Sequence, residues 1–156
     1  MMARAGFTAI HSGRITFGKD GRWYCDGEEI VNRAICRLYS RAMQVRDDGR
    51  GRLELGEDRA DVDIEDTPWV VTRVDGDPTS GFVVTLNDDS REPLALDTLR
   101  IGAGDVLYCR VKGGRHDARL LRPAYYELTR HAARDGAGRV VLAAGGHTVV
   151  LAAEDV

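Results

Sequence analysis

One set of landmarks occurs twice in this chain, in the same order and at nearly constant separation. The clearer set runs from Lys112 to Asp155. It comprises Lys112-Gly113-Gly114-Arg115, Arg122-Pro123-Ala124-Tyr125-Tyr126-Glu127-Leu128, Arg134-Asp135-Gly136 and Glu154-Asp155. The earlier set runs from Lys19 to Asp66, with Lys19-Asp20-Gly21-Arg22, a helical run through Leu38-Tyr39, Arg46-Asp47-Asp48-Gly49 and Glu65-Asp66. Internal repetition of this kind governs the whole fold, because each copy is one supersecondary unit.

The elements inside each copy follow from local chemistry. Arg14 to Gly18 alternates with Ile15 and Phe17 on one face, as a half-buried strand does. Asp20-Gly21 supplies the positive φ of a tight hairpin turn, and Trp23 to Asp26 is the returning strand. Asn32 is placed to cap a helix running to about Gln44. Its expected buried stripe is Ala34, Ile35, Leu38, Tyr39, Ala42 and Met43, with Arg33, Arg37 and Arg41 opposite. Strands are expected at Arg52 to Leu55 and Arg59 to Ile64. Trp69 to Val74 and Phe82 to Leu86 pair most simply as a hairpin, and Leu94 to Leu96 and Leu99 to Ile101 are short strand candidates. In the later copy Asp105 to Lys112 and Arg115 to Leu120 form a hairpin around Gly113-Gly114. A helix then starts near Pro123, which suits the first helical position, and ends at Asp135-Gly136. Its inner face is expected to carry Tyr125, Leu128 and Ala132. Arg139 to Ala143 and Thr148 to Ala152 close the chain as a hairpin around Gly145-Gly146. Residues 1 to 13 lack periodicity and are expected to form a loose arm. The resulting fold class is α+β. It is an internally duplicated, mostly antiparallel strand-strand-helix-strand-strand arrangement, with units at 1–66 and 67–156.

Composition narrows the function classes. At 156 residues the chain suits one compact domain or two small ones. A net charge of -3 argues against a nucleic-acid polymer as partner. No run approaches the ~20 apolar residues of a spanning helix, and Met1 to Ser12 has no apolar core of signal-peptide length. Cys25, Cys36 and Cys109 are an odd number with no Cys-x-x-Cys pair, which suits a reducing compartment; the expected location is cytoplasmic. His11, His116, His131 and His147 are scattered without metal-ligand spacing, so no metal or other cofactor is expected. Gly102-Ala103-Gly104 precedes a strand rather than a helix and fails the context test for a dinucleotide fingerprint. No nucleophile-base-acid pattern emerges, and the chain is expected not to be an enzyme.

The start of the second helix is the candidate site. Arg110, Lys112, Arg115, Arg119 and Arg122 stand there against only Asp117. Arg122 falls at the capping position, and arginine has no acceptor with which to satisfy free amides. Exposed N–H groups beside guanidinium groups suit an anion. Tyr125 or Tyr126 would add a stacking surface. The competing possibility is that Glu127 folds back onto those amides and the tyrosines are core.

Together these motifs resemble the bacterial DUF1285 family, domains of unknown function. The resemblance rests on Asp20-Gly21-Arg22-Trp23-Tyr24 with Gly27 and Ile30, on Leu38-Tyr39-Ser40, and on Val62-Asp63-Ile64-Glu65-Asp66-Thr67-Pro68-Trp69. It continues through Tyr108, Val111-Lys112-Gly113-Gly114, and the most distinctive run, Ala118 to Leu128. It implies a duplicated α+β fold whose later half resembles a pleckstrin-homology barrel. It further implies a nucleotide-like small ligand between the halves and a place in signal transduction. On this reading Arg119, Arg122, Tyr125 and Tyr126 bind the ligand. A protein-interaction adaptor acting through the barrel-like half, with an unknown partner, is the alternative. The chain departs from the family in its short arm and in the Ala- and Gly-rich hairpin Leu142 to Ala153, where aromatic residues would be expected.

Overall fold

The computed structural model describes residues 13–151. The expected arm lies outside them apart from Gly13, as do His11 and the Glu154-Asp155 landmark. The chain divides into two compact units, the first ending at Pro68 and the second beginning at Trp69.

In the first unit Ile15–Phe17 (β1), Trp23–Cys25 (β2) and Glu28–Glu29 (β3) form an antiparallel meander. The helix Arg33–Ala42 (α1) follows. Met43–Val45 (β4), Gly51–Leu55 (β5) and Asp58–Ile64 (β6) form a second meander. The two meanders join through the parallel pairing of β1 with β6, where Ile15 lies opposite Val62 and Phe17 opposite Ile64. The sheet order is therefore β3-β2-β1-β6-β5-β4. Alternation decides its buried face: Ile15 and Phe17, then Gly51, Leu53 and Leu55, point into the core.

Asn32 caps α1, its side-chain oxygen accepting the Ile35 amide at 3.1 Å. The helix is rotated from the expected stripe. Tyr39, Ser40 and Met43 are buried, whereas Ala34 is exposed and Leu38 is 41% exposed. The cause is Trp23, which is almost fully buried and whose indole N–H donates to Ser40 Oγ at 3.0 Å. A buried indole donor needs an acceptor, so the helix turns its serine inward. Phe17, Trp23 and Tyr39 then stack in sequence, with ring centroids 4.9 and 5.5 Å apart.

The second unit repeats the sheet. Trp69–Asp77 (β7), Gly81–Leu86 (β8) and Arg91–Pro93 (β9) form one meander. Arg100–Gly102 (β10), Val106–Val111 (β11) and His116–Leu120 (β12) form the other. First and last strands again pair in parallel, Trp69 opposite Ala118 and Val71 opposite Leu120. The order β9-β8-β7-β12-β11-β10 matches that of the first unit strand for strand. The helix Arg122–Thr129 (α2) and a separate sheet of Ala133–Arg134 (β13), Val140–Ala144 (β14) and His147–Val150 (β15) complete it.

Duplication is thus present at two levels. The local order hairpin, helix, meander recurs from β1 and from β11. The sheet topology recurs from β1 and from β7, a second frame set by long-range pairing. Among the short strand candidates, Leu94 to Leu96 is not a strand; Leu96–Thr98 is a single 3-10 turn. α2 stops at Thr129, not Asp135: the His131 and Ala132 amides bond three residues back, to the Leu128 and Thr129 carbonyls at 3.1 and 2.9 Å, and the chain turns out through β13. Ala132 therefore lies outside the helix.

The second sheet does not close into a barrel by strand pairing, since β9 and β10 are both edges. It nevertheless curls. β11 and β9 would lie about 19 Å apart in a flat sheet, four strand spacings of ~4.8 Å. Yet the Glu92 carboxylate of β9 accepts the Lys112 backbone N–H at 3.1 Å. The Lys112 ammonium reaches Asp88 at 2.7 Å and the Ser90 hydroxyl at 3.2 Å, over the face of Trp69. Between the edges, Thr98 Oγ1 accepts the Arg110 amide at 2.9 Å. Side chains therefore draw together what ladders leave open. Lys112 itself has φ 57°, in the β11–β12 turn that the Arg115 amide closes onto the Val111 carbonyl at 3.1 Å.

Two outcomes follow. Ser40→Ala strands the Trp23 indole N–H and should cost about 1–2 kcal/mol, read as a lower urea midpoint at unchanged slope; an unshifted midpoint would discard the account of the helix rotation. Lys112→Met should cost about 2 kcal/mol at neutral pH by removing the cation beside the largely buried Asp88 carboxylate. Burial alone would raise the Asp88 carboxyl, but Lys112 and the Ser90 hydroxyl and amide outweigh it and hold it below the ordinary carboxylate range. A depressed carboxyl stabilises above its unfolded value, about 3.9, and loses that contribution as pH falls through its folded value. The cost of Lys112→Met should therefore shrink on acidification, and a pH-independent difference between the two proteins would refute the pairing.

Candidate functional site

α2 begins where β12 runs out of ladder. The Leu121 amide still bonds to the Val71 carbonyl at 3.0 Å, extending the parallel pair by one residue. Pro123 then favours helix by its fixed φ. Leu121 is the cap residue and offers no side-chain acceptor. Arg122 is thus the first helical residue rather than the cap, a displacement of one position. The helix start still has no side chain closing it. Glu127 does not fold back; its carboxylate binds Arg130 at 3.0 Å and lies 3.8 Å from His131 Nε2.

Three of the four expected ligand residues come together here. The Arg122 guanidinium lies 5.0 Å from the Tyr125 ring centroid, and Tyr125 meets Tyr126 edge to face at 5.3 Å. Ala124 and Leu128 anchor the helix in the core, Tyr125 is half-buried, and Tyr126 is 62% exposed. The tyrosines are therefore not core residues. On the flank of Pro123 and Glu127 lies a hollow of about 370 Å³, floored by Thr72 to Gly76 of β7. Arg73 in that floor is neutralised by Asp75 at 3.1 Å, so the positive side of the helix start is the side of Arg122.

Arg119 belongs to a different group. It sits opposite Tyr108 in the β11–β12 register, on the outward face of the sheet. The same face carries Arg100 and Arg110, which both bind Asp117, at 3.2 and 3.1 Å. Arg100 also stacks over Tyr108 at 5.0 Å. Tyr108 can lie down there because Gly102 has no side chain; a Cβ would come within 2.7 Å of the ring. Burial would raise the Asp117 carboxyl, and the two arginines overcome it and hold it low. The outward alternation of Tyr108 with Arg110, and of Asp117 with Arg119, is the signal that would have found this cluster.

A cavity of about 510 Å³ in the second unit touches none of the four expected residues. Three chain segments enclose it: Ser80 to Val83, Pro93 to Asp97, and the β14–β15 turn at Ala144, Gly145 and His147. The thiols are quiet chemically. Burial pushes all three upward, Cys109 to about 12, which keeps them protonated at neutral pH. Among the described residues, no three His, Cys, Asp or Glu side chains gather as a metal ligand set. No helix among them is long and apolar enough to cross a membrane.

No protein-family model matches the chain, and no curated protein matches it in sequence. Solved structures do match. A DUF1285 family protein from Silicibacter pomeroyi DSS-3 superposes with a TM-score of 0.69 at 18% identity, over 90% of this chain and 80% of its own. A second, from Shewanella baltica OS155, gives 0.59 at 17% identity over 77% and 93%. This chain has the DUF1285 fold. The family is the one its sequence motifs resemble, and the shared feature at this identity is the fold itself.

Proposed function

We propose that the chain is a non-catalytic binding module for a small anionic ligand of nucleotide type. The observation that carries this reading is the start of α2, where Arg122 rests on Tyr125 and the cap residue Leu121 offers no side-chain acceptor. The helix dipole and the first amides favour negative charge there. Arg122 would hold a phosphate in its two-bond fork, as lysine cannot. The exposed Tyr126 ring would take the base. Arg119, among the Arg100–Arg110–Asp117 group, would contribute long-range field rather than contact. The three free thiols suit a reducing, cytoplasmic setting, and a binding module without chemistry of its own suits a sensing role in signal transduction.

The adaptor reading has one favourable observation, the unpaired edges of β9 and β10. Against it, β10 is three residues long and β9 ends in Pro93, two devices that blunt an edge against a partner strand. The ligand reading is therefore preferred.

The test is calorimetry with a nucleotide panel on the full chain and on Arg122→Ala. A nucleotide should raise the melting temperature, by the equivalent of ~2.7 kcal/mol at 100 times its dissociation constant. Arg122→Ala should weaken it by at least about tenfold. Binding indifferent to Arg122, or no nucleotide binding at millimolar concentration, would defeat the proposal.

A further inference from the structure

The cavity of about 510 Å³ has walls of a definite character. Phe82, Val83, Pro93, Leu94 and Leu96 supply an apolar interior, and the volume falls within the ~300–1,000 Å³ usual for small-molecule sites. Two walls are fixed. The Leu94 amide donates to the Phe82 carbonyl at 2.9 Å, and Thr98 ties the connector to β11. The third wall, the β14–β15 turn, is fastened by the Gly145 amide to the Pro78 carbonyl at 3.2 Å.

The polar groups at the mouth are few and one-sided. Ser80 is committed, its amide and hydroxyl both donating to Asp77 at 2.8 and 3.0 Å. Among the described residues no lysine or arginine lines the cavity. Asp97, exposed in the 3-10 turn, carries the carboxylate among the described lining residues, and His147 also lines the cavity. No basic side chain among the described residues forms an ion pair with Asp97. An apolar cavity with a carboxylate at its mouth disfavours anions and favours cations.

We propose that this cavity is a second binding site of the unit, for a small molecule with an apolar body and a protonated amine. The body fills the space against Phe82, Leu94 and Leu96, and the ammonium pairs with Asp97. Its charge preference is opposite to that of the α2 start, and it stands or falls independently of that site.

The experiment compares three probes of one shape, phenethylamine, 2-phenylethanol and 3-phenylpropionate, on the full chain by NMR titration. The expected result is shifts centred on the amides of Gly145, His147 and Leu94, with the amine binding at least about tenfold tighter than the carboxylate. Asp97→Asn, a surface change, should bring amine and alcohol to equal affinity. Ala95→Trp, or Ala144→Trp from the opposite wall should the first variant not fold, should abolish all three. Arg122→Ala should change nothing here. A carboxylate binding as well as the amine, a preference that survives Asp97→Asn, or shifts centred elsewhere on the protein would overturn the proposal, as would no binding by any probe at millimolar concentration.

Discussion

Each six-stranded sheet depends on pairing its first strand with its last. β1 meets β6 and β7 meets β12, in parallel, at the centre of the respective sheets. Antiparallel neighbours can be joined by two-residue turns, but parallel neighbours need a long crossover. Here the crossover is the rest of the unit. Residues 15 and 62, or 69 and 118, must come together before either buried strand is covered on both sides. The local hairpins can form early, but the loop-closure cost of the central pair is offset only when both meanders are complete. That ties stability to the unit as a whole, and it places Ile15, Phe17, Trp69 and Val71, all buried, at the middle of their cores.

The same constraint explains what could be read in advance. The hairpins were legible because Asp20-Gly21, Gly113-Gly114 and Gly145-Gly146 advertise positive φ, and the structure uses it at Gly21, Gly113, Gly114, Gly145 and Gly146. The start of α1 was legible because Asn32 caps within three residues of itself. What escaped was long-range. The rotation of α1 is decided by Trp23, 17 positions from Ser40. The second frame of the duplication is decided by parallel register, which leaves no periodic trace in either strand. The end of α2 was overestimated because Ala132 fits a helical stripe, while its amide bonds three residues back to Thr129 and closes a turn instead.

The candidate site was legible in part for the same reason. Arg122, Tyr125 and Tyr126 are within one helical turn, so their meeting follows from spacing alone. Arg119 shares the neighbourhood in sequence but is claimed by the sheet, where cross-strand position outranks sequence distance. Arg100 and Arg110 converge on Asp117 from other strands or positions, and neither approach is visible before the register is known.

The curled second sheet joins stability to the cavity. Its edges do not ladder together, so the connector from Leu94 to Leu99 has to bridge β9 and β10 while carrying its own backbone polar groups. It does so by handing the Leu94 amide to Phe82, folding Leu96–Thr98 into a 3-10 turn, and offering Thr98 to Arg110. The Lys112–Asp88–Glu92 clip ties β9 and the turn before it to the end of β11. A sheet that closed fully by hydrogen bonding would have no connector standing off its edge and no chamber beneath it. The unpaired edge is thus the origin of the cavity, and the Leu94–Phe82 and Thr98–Arg110 hydrogen bonds fix two of its walls before any occupant arrives, which lowers the ordering cost of filling it.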